Sequence, residues 1–394
     1  MNVPLLDLGP QIQLLRNEII EAVTRVIDST RYILGPEVQS FEEKVAAYCQ
    51  ADFGVGVSSG TDALVMTLMA MEIGPGDRVV TTPYTFFATM GAVLRVGATP
   101  VFVDIEEESF NMDPEALQEI MEREQGRGHG VAAILPVHLF GQCADMGPIT
   151  AIADKYEVPV IEDAAQAIGA CCPVADSKDH ISWKKAGSMG RTGCFSFFPS
   201  KNLGGIGDGG LVTTSDKELV DILRSCRNHG ASPKYYHPRI GGNFRLDPVQ
   251  AVVLDIKLQY LDSWHKKRRQ NSKIYGELFA GKGLAETTVR LPVEKYRDMP
   301  GAEEHNHHIY NQYVVRVPER DALQAYLLEH GVGCEVYYPR CLHQQECVSV
   351  YNDQSFPIAE KAARESLALP IYPDLTREQI DFVVETIASF YTSK

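Results

Sequence analysis

The first half of the chain alternates short apolar runs with longer stretches of helical periodicity. The apolar runs, each bounded by Gly, Pro or Asp, lie at residues 79–82, 100–104, 132–137 and 158–163. Apolar positions recur at helical spacing over residues 62–72, 87–97, 114–124 and 146–157. Buried strands alternating with helices predict an α/β layer built on a mostly parallel sheet. In such sheets, ligands bind at the carboxyl ends of the strands.

The rest of the chain predicts a smaller, mixed domain. The predicted elements are helices at 216–228, 246–262 (continued by the charged run 264–270), 321–331 and 377–391, and a strand at 310–317. The polar segment 171–190 predicts an irregular surface loop. We place a domain boundary near residues 255–265. This gives a large domain of residues 1–258, which includes the N-terminal segment, and a smaller α+β domain of residues 259–394.

Composition and charge exclude several classes of protein. The chain has 394 residues, and 44% hydrophobic with 23% charged residues is an ordinary globular composition. A net charge of −15 argues against a general binder of nucleic acid or anionic membrane, although local backbone amides can still hold a small anion. No apolar stretch is long enough to span a membrane. Nine scattered cysteines and no visible signal peptide predict a cytoplasmic protein without a disulfide framework.

The most informative stretch is residues 194–210, where an apolar aromatic run ends at Lys201 and a glycine-dense turn follows. Burial of a lysine is costly, and chains that do bury one often use its lowered pKa for nucleophilic chemistry. The other interpretation is a strand end whose lysine reaches water, followed by a hairpin. The stretch by itself leaves both interpretations open.

Two further stretches pair polar residues with predicted strand ends. Residues 56–68 place small hydroxyl residues before an apolar helix, which indicates either a phosphate site or an ordinary N-cap. Asp163 ends a buried strand, where a carboxylate needs a cation or serves as a helix cap, and Gln166 follows three residues later.

His138 and Phe86 also follow predicted strands. His138 is either a site residue or a satisfied core histidine. Phe86 offers an aromatic platform for a flat ring, although aromatic residues at such junctions are often part of the core.

Two motifs are set aside. Gly205, Gly207 and Gly210 match the dinucleotide pattern G-x-G-x-x-G, but they precede the strand-like run 211–215 instead of opening a helix. The HNHH run at 305–308 invites a metal site, yet it lies in a polar loop without a partner cluster. We therefore expect no metal.

Together and in this order, these motifs are specific, and the chain resembles the DegT/DnrJ/EryC1/StrS family of sugar aminotransferases. The residues that carry the resemblance are RYILGPEV (31–38), SSGTDAL (58–64), TPYTFFAT (82–89), PVHLFGQ (136–142), EDAAQAIGA (162–170), GCFSFFPSKNLGGIGDGG (193–210), RNHG (227–230), GGNFRLDPVQA (241–251) and YYPRCLH (337–343). The loop at 171–187 looks longer than the usual turn of the family, which puts substrate contacts near it in doubt.

The resemblance implies a site for pyridoxal 5′-phosphate (PLP). Lys201 would form a Schiff base with PLP and later move a proton as a base. Asp163 would pair with the pyridinium nitrogen, Gln166 would lie at the ring's 3′-oxygen, and Phe86 would stack on the ring.

The resemblance also implies how the phosphate is held and how the chain assembles. Gly60, Thr61 and Ser196 would bind the phosphate at a helix N-terminus, and Asn243 would reach the phosphate of the neighbouring subunit. An obligate homodimer with shared sites follows. The implied fold is the type I aminotransferase fold, a large mostly parallel α/β domain with a smaller C-terminal domain.

The implied reaction moves an amino group from L-glutamate to a keto sugar carried on a nucleotide diphosphate. The HLFGQ motif (138–142) favours a 3-keto over a 4-keto sugar. Candidates for contact with the substrates are Arg31, Tyr32, His138, Lys234, Arg239, Arg245, Tyr338 and His343. Alternatives are a PLP-dependent sugar dehydratase, which Lys201 disfavours because dehydratases of the family carry histidine there, a non-catalytic regulatory relative, and a metal enzyme built on HNHH.

Overall fold

The computed structural model describes residues 1–125, 130–175, 180–285, 287–351 and 353–392. Its helices are α1 (Gly9–Ser29), α2 (Pro36–Tyr48), α3 (Gly60–Ala70), α4 (Phe87–Arg95), α5 (Pro114–Gln125), α6 (Met146–Lys155), α7 (Lys217–Arg227), α8 (Pro248–Leu258), α9 (Leu261–Gly281), α10 (Arg320–Glu329), α11 (Pro357–Glu365) and α12 (Arg377–Thr392). Its strands are β1 (Phe53–Val57), β2 (Arg78–Thr81), β3 (Thr99–Phe102), β4 (Val131–Ile134), β5 (Ile161–Asp163), β6 (Cys171–Ala175), β7 (Ile181–Lys185), β8 (Thr192–Ser196), β9 (Gly210–Thr214), β10 (Tyr313–Arg316) and β11 (Ser366–Leu369).

The large sheet is mostly parallel, as predicted. Three strands in the order β3-β2-β4 and four in the order β1-β9-β8-β5 are joined by two parallel bridges, Ile134 to Val160 and Val137 to Asp163. Among the described strands of this sheet, β9 is the one that runs antiparallel to its neighbours. The carboxyl ends of β1, β2, β4, β5 and β8 therefore share one edge, where a ligand site is expected.

Helices cover both faces of this sheet. Successive side chains of a strand point to opposite faces, and each face packs against its own set of helices in a separate apolar cluster. Val79, for example, packs in the cluster with α3, α4 and α7, whereas Val80 packs in the cluster with α1, α2, α6 and α8. The same alternation separates Cys194 from Phe195 in β8. Burial on both faces explains why the strands read as continuous apolar runs.

A second core forms around the β10–β11 pair, α10 and α12. Helix α9 belongs to both cores, since Leu261 packs in the first and Tyr275 in the second. The N-terminal Val3 also packs in the second core and bridges Val332. We propose that the two domains divide near residues 258/259. The N-terminal segment around Val3 would then belong to the smaller domain, whereas the sequence assigns it to the large domain.

The segment 171–190 is not the irregular loop predicted from the sequence. Strands β6 and β7 form an antiparallel hairpin from Cys171–Lys185 to Ala175–Ile181. Trp183 anchors it: the indole Nε1 donates to the carbonyl oxygen of Pro300 at 2.9 Å, and the ring stacks on His305 at 4.7 Å. The partners of Trp183 lie more than 100 residues away in sequence, so the polar composition of the segment gives no sign of these contacts.

The helix predicted over 246–262 is also divided. Helix α8 ends at Leu258 and α9 begins at Leu261, with Gln259 and Tyr260 between them. The break lets both Leu254 and Trp264 pack into the first core. Among the described helices, none is both long and apolar enough to cross a membrane.

Candidate active site

Lys201 lies in a tight loop between β8 and β9. The Lys201 amide donates to the carbonyl oxygen of Phe198 at 2.8 Å, and the Gly205 amide donates to that of Phe197 at 2.8 Å. A Cβ at Gly204 would collide with the carbonyl oxygen of Pro199, so glycine is required there. Lys201 is partly exposed, but burial of its ammonium lowers its pKa to about 8, with the charge of Asp163 opposing the shift. The neutral amine is therefore reached closer to neutral pH than in an ordinary lysine.

Asp163 faces this lysine from the end of β5. Strand β5 pairs in parallel with β8 and sets Asp163 opposite Cys194. The carboxylate oxygen Oδ2 accepts from Thr89 Oγ1 at 2.8 Å, and Oδ1 accepts from the Ala165 amide at 3.2 Å. Burial raises the pKa of the Asp163 carboxyl, while these hydrogen bonds and the charge of Lys201 lower it. The carboxylate is thus placed to pair with a protonated ring nitrogen.

The N-terminus of α3 meets the end of β8. Ser59 caps the helix by accepting from the Asp62 amide at 3.0 Å, and a Cβ at Gly60 would lie 2.7 Å from Ser196 Cβ. The Ser58 hydroxyl donates its proton to Asp62 Oδ2 at 2.6 Å, so this proton is not available to a bound anion. The free amides of the first turn and the Ser196 hydroxyl remain for an anion, as a phosphate site requires. Thr61 follows Gly60 in this first turn.

Phe86 precedes α4, the helix that carries Thr89. Its side chain is 61% exposed, although it is large and apolar. An exposed ring three residues before Thr89, whose hydroxyl bonds Asp163, fits the predicted stacking platform better than a core position.

Gln166 and Tyr338 are bonded to each other. Gln166 Oε1 accepts from the Phe140 amide at 2.7 Å, and Nε2 donates to Tyr338 Oη at 2.9 Å. The Tyr338 ring packs face to face on Phe140 and edge-on against Tyr84. Gln166 is thereby held in one orientation next to the Asp163 strand end by a residue of the smaller domain.

His138 and His343 lie in the core. His138 Nε2 lies 2.8 Å from Glu162 Oε2, and Nδ1 accepts from the Ala144 amide at 3.1 Å, so both ring nitrogens are used. His343 is fully buried against Phe102, and burial lowers its pKa. Both ring nitrogens of His138 therefore have partners inside the core. Contact of either histidine with substrate stays a prediction.

The segment 243–245 runs beside the N-terminus of α3. The Ser58 amide donates to the carbonyl oxygen of Phe244 at 3.0 Å, and Arg245 Nη1 donates to Asn228 Oδ1 at 2.7 Å. Asn243 is exposed and bridges Asn228 through its backbone. Its side chain is therefore accessible to another subunit.

The remaining substrate candidates are exposed. They are Arg31, Tyr32, Lys234 and Arg239, of which Tyr32 donates its hydroxyl to the carbonyl oxygen of Ile27 at 3.0 Å.

Two contacts near Lys201 were not predicted from the sequence. Asn202 donates to the carbonyl oxygen of Ile309 at 3.1 Å and accepts from Asn311 Nδ2 at 2.8 Å, which ties the lysine loop to the smaller domain.

The HNHH run (305–308) directly precedes Ile309. Its His308 stacks on Tyr310, and burial lowers the His308 pKa to about 3. Within the described residues, no group of three or more His, Cys, Asp or Glu side chains is placed to hold a metal.

A family model identifies the family of the chain. The model of the DegT/DnrJ/EryC1/StrS aminotransferase family matches residues 13–388. The chain belongs to this family. DegT/DnrJ/EryC1/StrS aminotransferases depend on PLP, so the chain is a PLP-dependent aminotransferase. The residues present fit the cofactor, since an amine with a lowered pKa, a carboxylate, an exposed ring and a helix N-terminus next to the Ser196 hydroxyl lie at one edge of the sheet.

Relatives and solved structures extend over nearly the whole chain. A "pleiotropic regulatory protein" of Geobacillus stearothermophilus is 44% identical, covering 99% of both chains. A UDP-N-acetyl-3-dehydro-α-D-glucosamine 3-aminotransferase of Acidithiobacillus ferrooxidans is 39% identical over 98% of this chain and 97% of its own. The crystal structure of DesV from S. venezuelae in complex with a ketimine intermediate is 38% identical, with a TM-score of 0.88 over 99% of this chain and 98% of that one. The predicted fold is thereby confirmed.

Proposed function

We propose that this enzyme transfers the amino group of L-glutamate to the keto group of a nucleotide-diphosphate-linked sugar, at C3 in preference to C4. The observation that carries the proposal is the meeting of Lys201 and Asp163 at the carboxyl ends of β8 and β5. The preference for C3 is supported by the HLFGQ motif and by the printed activity of the Acidithiobacillus relative.

The residues of the site divide the chemistry between them. When bound, PLP supplies an electron sink for the carbon that carries the amino group. Lys201 holds and moves the proton at its Nζ, which its lowered pKa allows near neutral pH. Asp163 binds the ring nitrogen, and Thr89 and Ala165 fix the direction of its carboxylate. The first turn of α3 and Ser196 Oγ bind the phosphate.

The substrates carry carboxylate and diphosphate groups, so the acidic protein needs local cations. Arg31, Lys234 and Arg239 are exposed, and Arg245 lies beside the proposed phosphate site. Guanidinium groups bind such oxyanions in bidentate geometry. We therefore assign the diphosphate or the glutamate carboxylate to this set of cations.

We further propose a homodimer in which Asn243 reaches the phosphate in the partner's site. Large apolar side chains are exposed next to Lys201 and in the loop before Asn243, namely Phe86, Phe198, Ile206, Tyr235, Tyr236 and Ile240. A single chain rarely leaves so much apolar surface uncovered. We place the dimer in the cytoplasm, where nine free cysteines, eight of them buried, stay reduced.

The name of the Geobacillus relative makes a regulatory role the second candidate. A ligand-binding regulator has no need of a lysine with a lowered pKa next to a carboxylate. We therefore favour the enzyme.

A substrate panel tests the proposal. The PLP-loaded protein is mixed with L-glutamate and with UDP- and dTDP-linked 3-keto and 4-keto sugars, and the products are identified by mass and NMR. We expect 3-amino sugar and 2-oxoglutarate in equal amounts. Amination at C4 alone would overturn the preference for C3. Tight binding of a sugar nucleotide without amination of any member would favour the regulatory role.

A further inference from the structure

The turn that follows Lys201 is held from one side by helix α8. Lys257 is 2% exposed, and its ammonium donates to the carbonyl oxygen of Gly204, three residues after Lys201. No carboxylate partner of Lys257 occurs among the residues that the structure describes. A buried ammonium is costly in this setting, and an ordinary core position would carry an apolar side chain.

Gln250, two turns earlier in α8, holds the next part of the same turn. Its Oε1 accepts from the Ile206 amide at 2.9 Å. A Cβ at Gly205 would lie 2.6 Å from Gln250 Oε1, and one at Gly207 would lie 2.7 Å from Nε2. Neither glycine has a positive φ, and a side chain at either position would have to displace the Gln250 amide group.

The same segment of chain reaches the proposed phosphate site. Leu246, just before α8, packs against Gly56 of β1 and Gly209 of the lysine loop. Asn243 and Arg245 precede it beside the N-terminus of α3. One continuous stretch therefore contacts both the loop that carries the amine and the end of the sheet that would hold the phosphate.

We infer that Lys257 and Gln250 are positioning residues, which fix the turn at 204–207 so that the Lys201 amine keeps one place relative to Asp163. The inference rests on the proposed PLP chemistry. Neither side chain is required to touch the cofactor or the substrate. Small displacements of a reacting group are known to reduce rates by large factors, so loss of either anchor acts on the reaction through Lys201.

The first experiment compares Lys257→Met and Lys257→Arg with the wild type. We expect Lys257→Met to lower the limiting rate of the single-turnover reaction of PLP-loaded protein with L-glutamate by about tenfold or more, with a smaller change in the glutamate concentration that gives half of that rate. Lys257→Arg keeps a donor and recovers part of the rate. Amide hydrogen exchange at residues 201–207 of the cofactor-free protein rises selectively in Lys257→Met. This second measurement requires no activity.

A matched control is Arg320→Met. Arg320 is 8% exposed and also donates to backbone carbonyl oxygens, those of Ala363 and Ser366, but in the smaller domain, where it also pairs with Asp321. A merely structural role for Lys257 predicts that both variants lower the melting temperature and leave the glutamate rate and the 201–207 exchange unchanged. That result would overturn the inference.

Gln250 keeps the test decisive if Lys257→Met does not fold. Gln250→Glu retains an acceptor for the Ile206 amide, whereas Gln250→Leu removes it. We expect Gln250→Leu to slow the reaction and Gln250→Glu to keep most of the rate; equal rates in the two variants would contradict the inference. Failure of the wild type itself to bind PLP or react with glutamate would instead refute the proposed function.

Discussion

The hydrogen bond from Thr89 to Asp163 offers a quantitative test of how the site is held. Thr89 is 1% exposed, and its hydroxyl donates to Asp163 Oδ2 at 2.8 Å. A hydrogen bond to a charged group contributes about 1.5–3 kcal/mol. Thr89→Val keeps the shape and removes the donor. Loss of this donor should therefore raise the pKa of the Asp163 carboxyl further above its ordinary value.

The sign of the effect on stability follows from the direction of the shift. The folded-state pKa of Asp163 is already above its unfolded value. Its contribution is present below the unfolded pKa, about 3.9, and is lost as pH rises through the folded pKa. Thr89→Val enlarges that loss. The difference in free energy of unfolding between variant and wild type should be smallest below the unfolded pKa and should grow to about 1.5–3 kcal/mol as pH rises through the folded pKa.

The assay is urea unfolding of the cofactor-free protein across this pH range. Thr85→Val is the matched control, because the Thr85 hydroxyl lies 3.3 Å from that of Thr89 and, within the described part of the chain, forms no hydrogen bond with Asp163. We expect its effect to be independent of pH, and Thr89→Ser to behave like the wild type. If Thr89→Val and Thr85→Val lost the same stability at every pH, the proposed restraint on the carboxylate would be refuted.

Two further predictions concern the phosphate end of the site. Gly60→Ala should weaken PLP binding at least tenfold, measured by absorbance titration, because the new Cβ meets Ser196; Gly276→Ala, with nothing within 4 Å of its Cβ, is the control and should bind PLP normally. Asn243→Ala should increase the rate of PLP loss through the partner's site, and light scattering should find a dimer. A fully active monomer, or normal PLP retention in Asn243→Ala, would contradict the shared site.

The placement of the proposed site residues could be predicted because local motifs specify it. Asp163 and Ser196 end strands, Gly60 begins a helix, and the parallel order of the strands brings these ends to one edge. Lys201 follows in the loop after β8. The sequence context of Gly205, Gly207 and Gly210 argues against a dinucleotide-binding motif, because a strand and not a helix is predicted after them. Strand β9, which begins at Gly210, confirms this prediction.

The supporting residues could not be predicted, since they act across long separations in sequence. Thr89 lies 74 residues from Asp163, and Asn311 lies 109 residues from Asn202. Lys257 reads from sequence as one more polar position of an amphipathic helix. Trp183 likewise gives no local sign of its contact with Pro300, and the sequence therefore predicts a loop where the β6–β7 hairpin lies.

The most direct test of the account identifies the lysine that binds PLP. Burial lowers the pKa of Lys201 and of Lys257 to about 8, so each is a candidate by pKa alone. Geometry distinguishes them, because Lys201 faces Asp163 whereas the Lys257 ammonium donates to the carbonyl oxygen of Gly204.

In the experiment, the PLP-loaded protein is reduced with borohydride, digested and mapped by mass spectrometry. We predict that the pyridoxyl group is found on Lys201 and is absent from the Lys201→Ala protein. Its presence on Lys257 or any other lysine would contradict the account.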